Sequence, residues 1–199
     1  MTFFMTNYQE NLTFFNRWAY FYNYDPISIW LLNSQKKILN KIPLNNKYKI
    51  LDVGCGTGNS LNFLYRKGFR SLYGVDLSPN MINKAKLNNK NKLFIASVEK
   101  LPFKSNFFDI VICTEAFHHF PNPKKSITEM FRVLKKGGLL YLADINFHFK
   151  LLNYIAKLEP GHVKIYDKTE FKNFFRQIGL KIIKQKAIGL FIILTIGKK

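Results

Sequence analysis

The sequence predicts an α/β protein in which a parallel sheet with crossover helices ends in an antiparallel hairpin. Three observations predict it. Five short apolar runs rich in Ile, Val, Leu or Phe alternate with helix-like stretches, as strands joined by crossovers do. A glycine-rich turn follows the first run and opens the first helix, where an open α/β sheet binds a nucleotide-like ligand. Two apolar runs near the C-terminus are separated only by a turn at Gly189, so they pair antiparallel at one edge. At 199 residues, 47% hydrophobic and 22% charged, the chain is sized for one domain and needs no metal or disulfide to hold a core.

Residues 1–46 read as an N-terminal helical lid segment ahead of the main unit, 47–199. Phe14, Trp18 and Phe21 fall at i, i+4 and i+7, one face of an amphipathic helix, with Tyr20, Tyr22 and Tyr24 alongside. Strands are expected at Tyr48–Val53, Leu72–Asp76, Leu93–Val98, Phe108–Thr114 and Leu139–Ile145. Helices are expected at Ser60–Lys67, Pro79–Leu87 and Lys124–Leu134. Ser78 and Pro79 supply the cap and first turn of the second, and Gly137 and Gly138 read as the stop of the third. Asn146–Asp167 is loop-rich, Thr169–Ile178 reads as a helix capped by Asp167, and Leu180–Ala187 with Leu190–Ile196 form the hairpin.

A formal charge of +19, from 31 Lys and Arg against 12 Asp and Glu, invites a nucleic-acid partner. The chain is also rich in Lys, Asn, Ile, Phe and Tyr together, the mixture that AT-rich codon usage produces. That mixture scatters lysines without any anionic partner, so nucleic acid is disfavoured. Cys55 and Cys113 are too few for a disulfide framework, no His/Cys cluster has zinc spacing, and a cytoplasmic setting is expected. The N-terminus lacks the basic head of a signal peptide. The longest apolar run, Ala187 to Gly197, is too short to span a bilayer.

The glycine turn reads Ile50-Leu-Asp-Val-Gly-Cys-Gly-Thr-Gly58. Its G-x-G-x-G spacing is followed by Asn59, where a dinucleotide fingerprint needs Gly, and Asn59-Ser60 lacks the lysine of a phosphate loop. From Asp52 to Ser60 there is no Lys or Arg. The turn therefore suits a ligand with positive charge near Asp52 better than a phosphate. Asp76 closes the second strand, where a carboxylate accepts both hydroxyls of an unphosphorylated ribose. Adenosine bearing a cationic amino-acid tail, S-adenosylmethionine, fits both ends.

Five stretches carry a family resemblance: Leu51 to Gly58; Gly74-Val-Asp-Leu-Ser-Pro-Asn-Met81; Val98-Glu-Lys-Leu-Pro-Phe103; Phe108-Asp-Ile-Val-Ile-Cys-Thr-Glu-Ala-Phe-His-His-Phe120; and Phe131-Arg-Val-Leu-Lys-Lys-Gly-Gly138. In that order they resemble the class I S-adenosylmethionine-dependent methyltransferases of the type 11 group. The resemblance implies a Rossmann-like seven-stranded sheet whose last strand is antiparallel, with 47–199 as the methyltransferase domain. It implies that Gly54, Gly56 and Gly58 flank the methionine part, with Asp52 and Thr114 beside them. Asp76 would hold the ribose, and Leu77 and Met81 would wall the adenine. Ser97 stands where the family carries an Asp reaching the adenine amino group, so that contact rests on the Ser97 hydroxyl or the backbone near Val98.

The resemblance also sets the candidates for chemistry. His118 and His119 follow the fourth strand and are candidate general bases, whereas Glu115 reads as a supporting or surface carboxylate. Phe15-Asn-Arg-Trp-Ala-Tyr-Phe-Tyr22 resembles the lid of quinone C-methyltransferases, with Trp18 and Tyr22 facing cofactor or substrate. The expected activity is methyl transfer from S-adenosylmethionine to an O, N or C atom of a small-molecule metabolite, without a metal. Two alternatives are a tRNA methyltransferase of the wobble-uridine carboxymethyl type, which Phe117-His-His-Phe120 also resembles, and a non-catalytic S-adenosylmethionine-binding protein. Methylation of an adenine amino group is disfavoured, because Thr114-Glu-Ala-Phe117 replaces the Asn/Asp-Pro-Pro-aromatic turn of that chemistry.

Overall fold

In a computed structural model, residues 2–24, 26–88, 92–146 and 164–199 are described. The order of elements is α1 (Thr2–Trp18), α2 (Pro26–Leu39), β1 (Lys49–Val53), α3 (Asn59–Arg66), β2 (Ser71–Asp76), α4 (Pro79–Asn88), β3 (Lys92–Ile95) and β4 (Phe108–Thr114). A short 3-10 turn at Phe117–His119 leads to α5 (Pro123–Val133), β5 (Leu134–Ile145), α6 (Lys168–Gln177), β6 (Lys181–Ile188) and β7 (Ile192–Lys198). The strands form one seven-stranded sheet in the order β3-β2-β1-β4-β5-β7-β6. β1 to β5 run parallel, and β7 lies antiparallel between β5 and the edge strand β6.

Side chains alternate along each strand, so a parallel sheet needs an apolar layer on both faces. Leu51, Val53, Val111 and Cys113 enter one core with Ile127, Met130 and Val133 of α5 and Phe171 and Phe175 of α6. Ile50, Ile110 and Ile112 enter the opposite core with Ile38 and Leu39 of α2, Leu61 and Leu64 of α3, and Ile82 of α4. Helices thus cover both faces, as the alternation requires. The predicted caps form: the Ser78 hydroxyl accepts the Met81 N–H at 3.1 Å, and Asp167 makes a reciprocal capping box with Glu170.

Three expectations change. The N-terminal stripe breaks after Trp18, so Phe21 lies beyond the helix and is 69% exposed; a second helix, α2, begins at Pro26, which suits a first helical position. β3 ends at Ile95 rather than Val98. Its neighbour β2 stops at Asp76, whose carbonyl takes the Ala96 N–H at 3.0 Å, and the chain then turns with Lys100 N–H on Ser97 O. Gly137 and Gly138 do not stop α5; they lie inside β5, which starts at Leu134. Gly138 sits at the irregularity where the register slips between Phe108 and Ile110, and a Cβ there would lie 2.9 Å from Asp109 O. The loop expected at Asn146–Asp167 falls mostly outside the described residues.

The third and fifth motifs meet through a polar clamp. Arg132 donates to Glu129 at 2.6 Å and to the carbonyls of Phe103 (2.8 Å) and Leu101 (3.1 Å), while Glu129 takes the Leu101 N–H at 2.8 Å. This clamp ties the loop after β3 to α5.

Candidate functional site

The strand order reverses between β1 and β4, and a crevice opens beyond the strand ends at such a switch point. Here it holds a cavity of about 730 Å³. Its floor is the turn after β1, folded against β2 by Gly54 and Cys55 N–H bonds to Val75 O at 2.8 and 3.0 Å. Gly54 and Gly56 have φ of +72° and +50°, the left-handed region that glycine enters without steric cost. A Cβ on Gly56 would find nothing nearer than Met81 Sδ at 4.0 Å. The bare backbone there leaves open space in the cavity wall.

Asp76 is held from both sides: one oxygen accepts the Gly56 N–H at 2.8 Å and the other the Ser78 N–H at 2.9 Å. Burial raises its pKa, and the N–H groups of Ser78, Gly56 and Leu77 oppose that rise. Asp52 is only 2% exposed. Burial, with the Asp76 charge adding to it, pushes its carboxyl up to about 8. Two acids at one end of a mostly apolar cavity make that end favourable for a cation.

Across the cavity, His118 is 4% and Asp144 1% exposed. The His118 ring Nδ1 lies 2.6 Å from Asp144 Oδ1, and its backbone N–H donates to Asp144 Oδ2 at 2.7 Å. A carboxylate can only accept at Nδ1, so Nδ1 carries the proton and Nε2 is the basic nitrogen. The His119 ring lies beside His118, tilted by 46° with ring centres 3.8 Å apart, and meets Phe15 edge-on at 4.8 Å.

The N-terminal segment crosses this space. Phe14, Phe15, Trp18 and Tyr22 line it, Asn11 Nδ2 donates to His119 O at 3.0 Å, and Asn16 Oδ1 accepts the Ser78 hydroxyl at 2.7 Å. Asn23 Oδ1 accepts from the Thr57 hydroxyl and Asn59 Nδ2, both at 2.9 Å. The segment is thereby fastened to the glycine turn, to the start of α4 and to the histidine turn.

Of the residues the sequence singles out, Trp18, Tyr22, Asp52, Gly54, Gly56, Asp76, Leu77, Met81, Ser97, Val98, Thr114, His118 and His119 all line the cavity. Gly58 is not in the wall; at φ +79° it turns the chain into α3. The Ser97 hydroxyl accepts the Glu99 N–H at 3.2 Å. Of the two readings of Glu115, as a supporting or a surface carboxylate, the structure removes the second: it lines the cavity, its Oε2 accepts from Gln35 Nε2 at 2.9 Å, and its Oε1 is buried without a hydrogen bond among the described residues. Sequence reasoning missed Asn11, Asn16, Asn23, Gln35 and Asp144. In an Asn-rich chain no spacing marks the three asparagines, whereas Asp144, a lone acid within an apolar fifth strand, was a signal left unused. No group of His, Cys, Asp and Glu suited to a metal occurs among the described residues, and none of their helices is long and apolar enough to cross a membrane.

Residues 51–142 match the family model of a methyltransferase domain. An uncharacterized protein of Methanocaldococcus jannaschii is 35% identical over 151 residues, covering 76% of this chain and 63% of the relative. The ubiquinone biosynthesis O-methyltransferase of Coxiella burnetii is 33% identical over 124 residues, covering 60% and 52%. The chain spans roughly half the length of the curated relatives it matches, from 42% to 63%. Among solved structures, a chain from the complex of the Haloferax volcanii Trm112 methyltransferase activator with a putative methyltransferase superposes with a TM-score of 0.82. It is 21% identical, covers 92% of this chain and 96% of that chain, and shares the fold.

Proposed function

We propose that the chain is a class I S-adenosylmethionine-dependent methyltransferase, as its match to a methyltransferase domain over residues 51–142 supports, and that its cavity holds that cofactor beside a small metabolite and passes the methyl group to an O, N or C atom of the metabolite. The observation that carries the small-molecule reading is the cavity itself. It is walled by the aromatic side chains of α1, and its described lining contains no Lys or Arg in a chain that has 31. A surface for RNA would gather those cations at the mouth to neutralise phosphates.

The residues' chemistry matches the cofactor at each end: Asp76 presents a half-buried carboxylate oriented by two N–H groups, which suits ribose hydroxyls; Asp52 is a buried carboxyl with no basic neighbour in the turn, which a cation beside it would return to the ionised form; and Gly56 leaves open the space a side chain would fill. Gly54, Gly56 and Thr114 would border the methionine part, Asp76 the ribose, and Leu77, Met81, Ser97 and Val98 the adenine. Bound there, S-adenosylmethionine supplies a methyl group already activated by its sulfonium charge.

What the chain supplies is alignment and exclusion of water. Phe14, Phe15, Trp18 and Tyr22 close the space as a lid. His118 Nε2 takes the proton of an acceptor that carries one, and Asp144 holds the ring in the required tautomer and offsets the charge it gains. Two free, buried cysteines suit a reducing cytoplasm. The test is methyl transfer from radiolabelled S-adenosylmethionine into extracts and into bulk tRNA. Label in a low-molecular-weight fraction supports the metabolite reading; label in tRNA overturns it in favour of RNA modification.

A further inference from the structure

Two side-chain oxygens are buried without a hydrogen bond among the described residues, Asn11 Oδ1 and Glu115 Oε1, and both residues line the cavity. Asn11 Nδ2 donates to His119 O, which fixes its carbonyl end. The Ser60 hydroxyl donates to Gln35 Oε1 and Gln35 Nε2 donates to Glu115 Oε2; whichever way the Gln35 amide is turned, its one contact is with Oε2 and Oε1 is left over. Buried acceptors are rarely left unmet, and an occupant of the cavity can bring the donors that these two lack among the described residues.

The kind of donor follows from charge. Asp52, Asp76, Glu99 and Glu115 line the space with no described Lys or Arg. Asp52 and Asp76 belong to the glycine-turn end, and Glu99 pairs with Lys125 at 3.6 Å. Glu115 is the acid left over. Its backbone stands at φ +56°, an uncommon conformation for a residue with a side chain, fixed by its N–H on Ala143 O at 2.8 Å. Burial pushes its carboxyl well above the ordinary carboxylate range, so a neutral partner meets a protonated acid and only a cation recovers the carboxylate. Phe14, Phe15, Trp18 and Trp30 surround the same space and favour an apolar body with a positive end.

Building on the methyltransferase reading, we propose that the small molecule held beside the cofactor is an amine with an apolar or aromatic body, its amino group held by Glu115 and Asn11. The test is calorimetry with 2-phenylethylamine, tryptamine and octylamine against the corresponding alcohols, with and without S-adenosylhomocysteine. Wild type should bind at least one amine roughly tenfold or more tighter than its alcohol, as a charge-assisted hydrogen bond allows. Glu115→Gln should lose that preference and keep its affinity for S-adenosylhomocysteine. Three results would overturn the proposal: no amine preferred by wild type, a preference that survives Glu115→Gln, or loss of S-adenosylhomocysteine binding in that variant, which would assign the carboxylate to the cofactor. Failure of wild type to bind S-adenosylhomocysteine would instead sink the cofactor reading, and the amine arm without it still decides the role of Glu115.

Discussion

Gly54 and Gly56 lie two residues apart in one turn, at φ +72° and +50°, yet an added methyl meets different surroundings at each. On Gly54 a Cβ falls 2.6 Å from the Ala116 Cβ. Neither segment can easily give way, because Gly54 N–H is bonded to Val75 O and the neighbouring Glu115 N–H to Ala143 O. On Gly56 the nearest atom is 4.0 Å away, and the methyl projects into the cavity. The left-handed conformation costs either alanine roughly 1–2 kcal/mol, and the clash at position 54 adds roughly 1–3 kcal/mol. At roughly 2–4 °C per kcal/mol for a chain of this size, Gly56→Ala should lower Tm by about 2–8 °C and Gly54→Ala by about 4–20 °C. Calorimetry with S-adenosylhomocysteine should reverse the emphasis: Gly56→Ala should lose roughly tenfold or more in affinity, about 1.4 kcal/mol, despite its smaller effect on Tm. A Gly56→Ala protein that binds like wild type would refute the assignment of that space to the ligand. A Gly54→Ala protein melting with wild type would refute the close approach to Ala116.

Asp52 gives a pH dependence. The fold keeps its carboxyl protonated up to about 8 whereas the unfolded chain releases that proton near pH ~4, so stability present below pH ~4 is lost progressively until about pH 8, by at most ~6 kcal/mol for this group. Asp52→Asn should flatten the fall of Tm across that window, and an unchanged slope would mean that the carboxyl is ionised in the fold. Removing two of the three asparagine latches, with Asn16→Ala and Asn23→Ala, should speed hydrogen exchange over residues 11–24 and leave β4 and β5 protected; unaltered exchange there would mean that these two bonds do not hold the segment. His118→Ala should lower turnover by roughly 100-fold while S-adenosylhomocysteine binds as before. Turnover equal to wild type would leave alignment as the chain's whole contribution.

What was legible in the sequence were features that repeat or sit next to each other along the chain. Strand alternation is local, so the β4 run from Phe108 to Thr114 reads directly and predicts two cores, which Val111 and Ile112 then enter on opposite faces. The hairpin turn at Gly189 and the caps at Ser78 and Asp167 are local too. Errors fell where a distant partner decides. β3 stops early because β2 does, and Gly138 serves a bulge against β4 rather than the end of a helix. On its own segment α1 shows only an aromatic stripe. What fastens the N-terminal segment are asparagines, Asn16 in α1 and Asn23 beyond it, whose partners Thr57, Asn59 and Ser78 lie at least 34 residues away.

Glu115 is the sharpest instance. One residue beyond an apolar strand, an acid has every local reason to face water, and no periodicity opposes that reading. The reversal comes from one backbone torsion, φ +56°, which Glu115 holds while its N–H stays on Ala143 of the neighbouring strand. Gln35, eighty residues earlier in the chain, then meets one of its carboxyl oxygens. A side chain committed to the interior by two partners so far apart, with its second oxygen still unmet, has been given up as a contributor to solubility. Such a cost is kept where the site uses it, and that is why the most informative substitution in this protein is the isosteric Glu115→Gln, which changes the charge at that oxygen and little else.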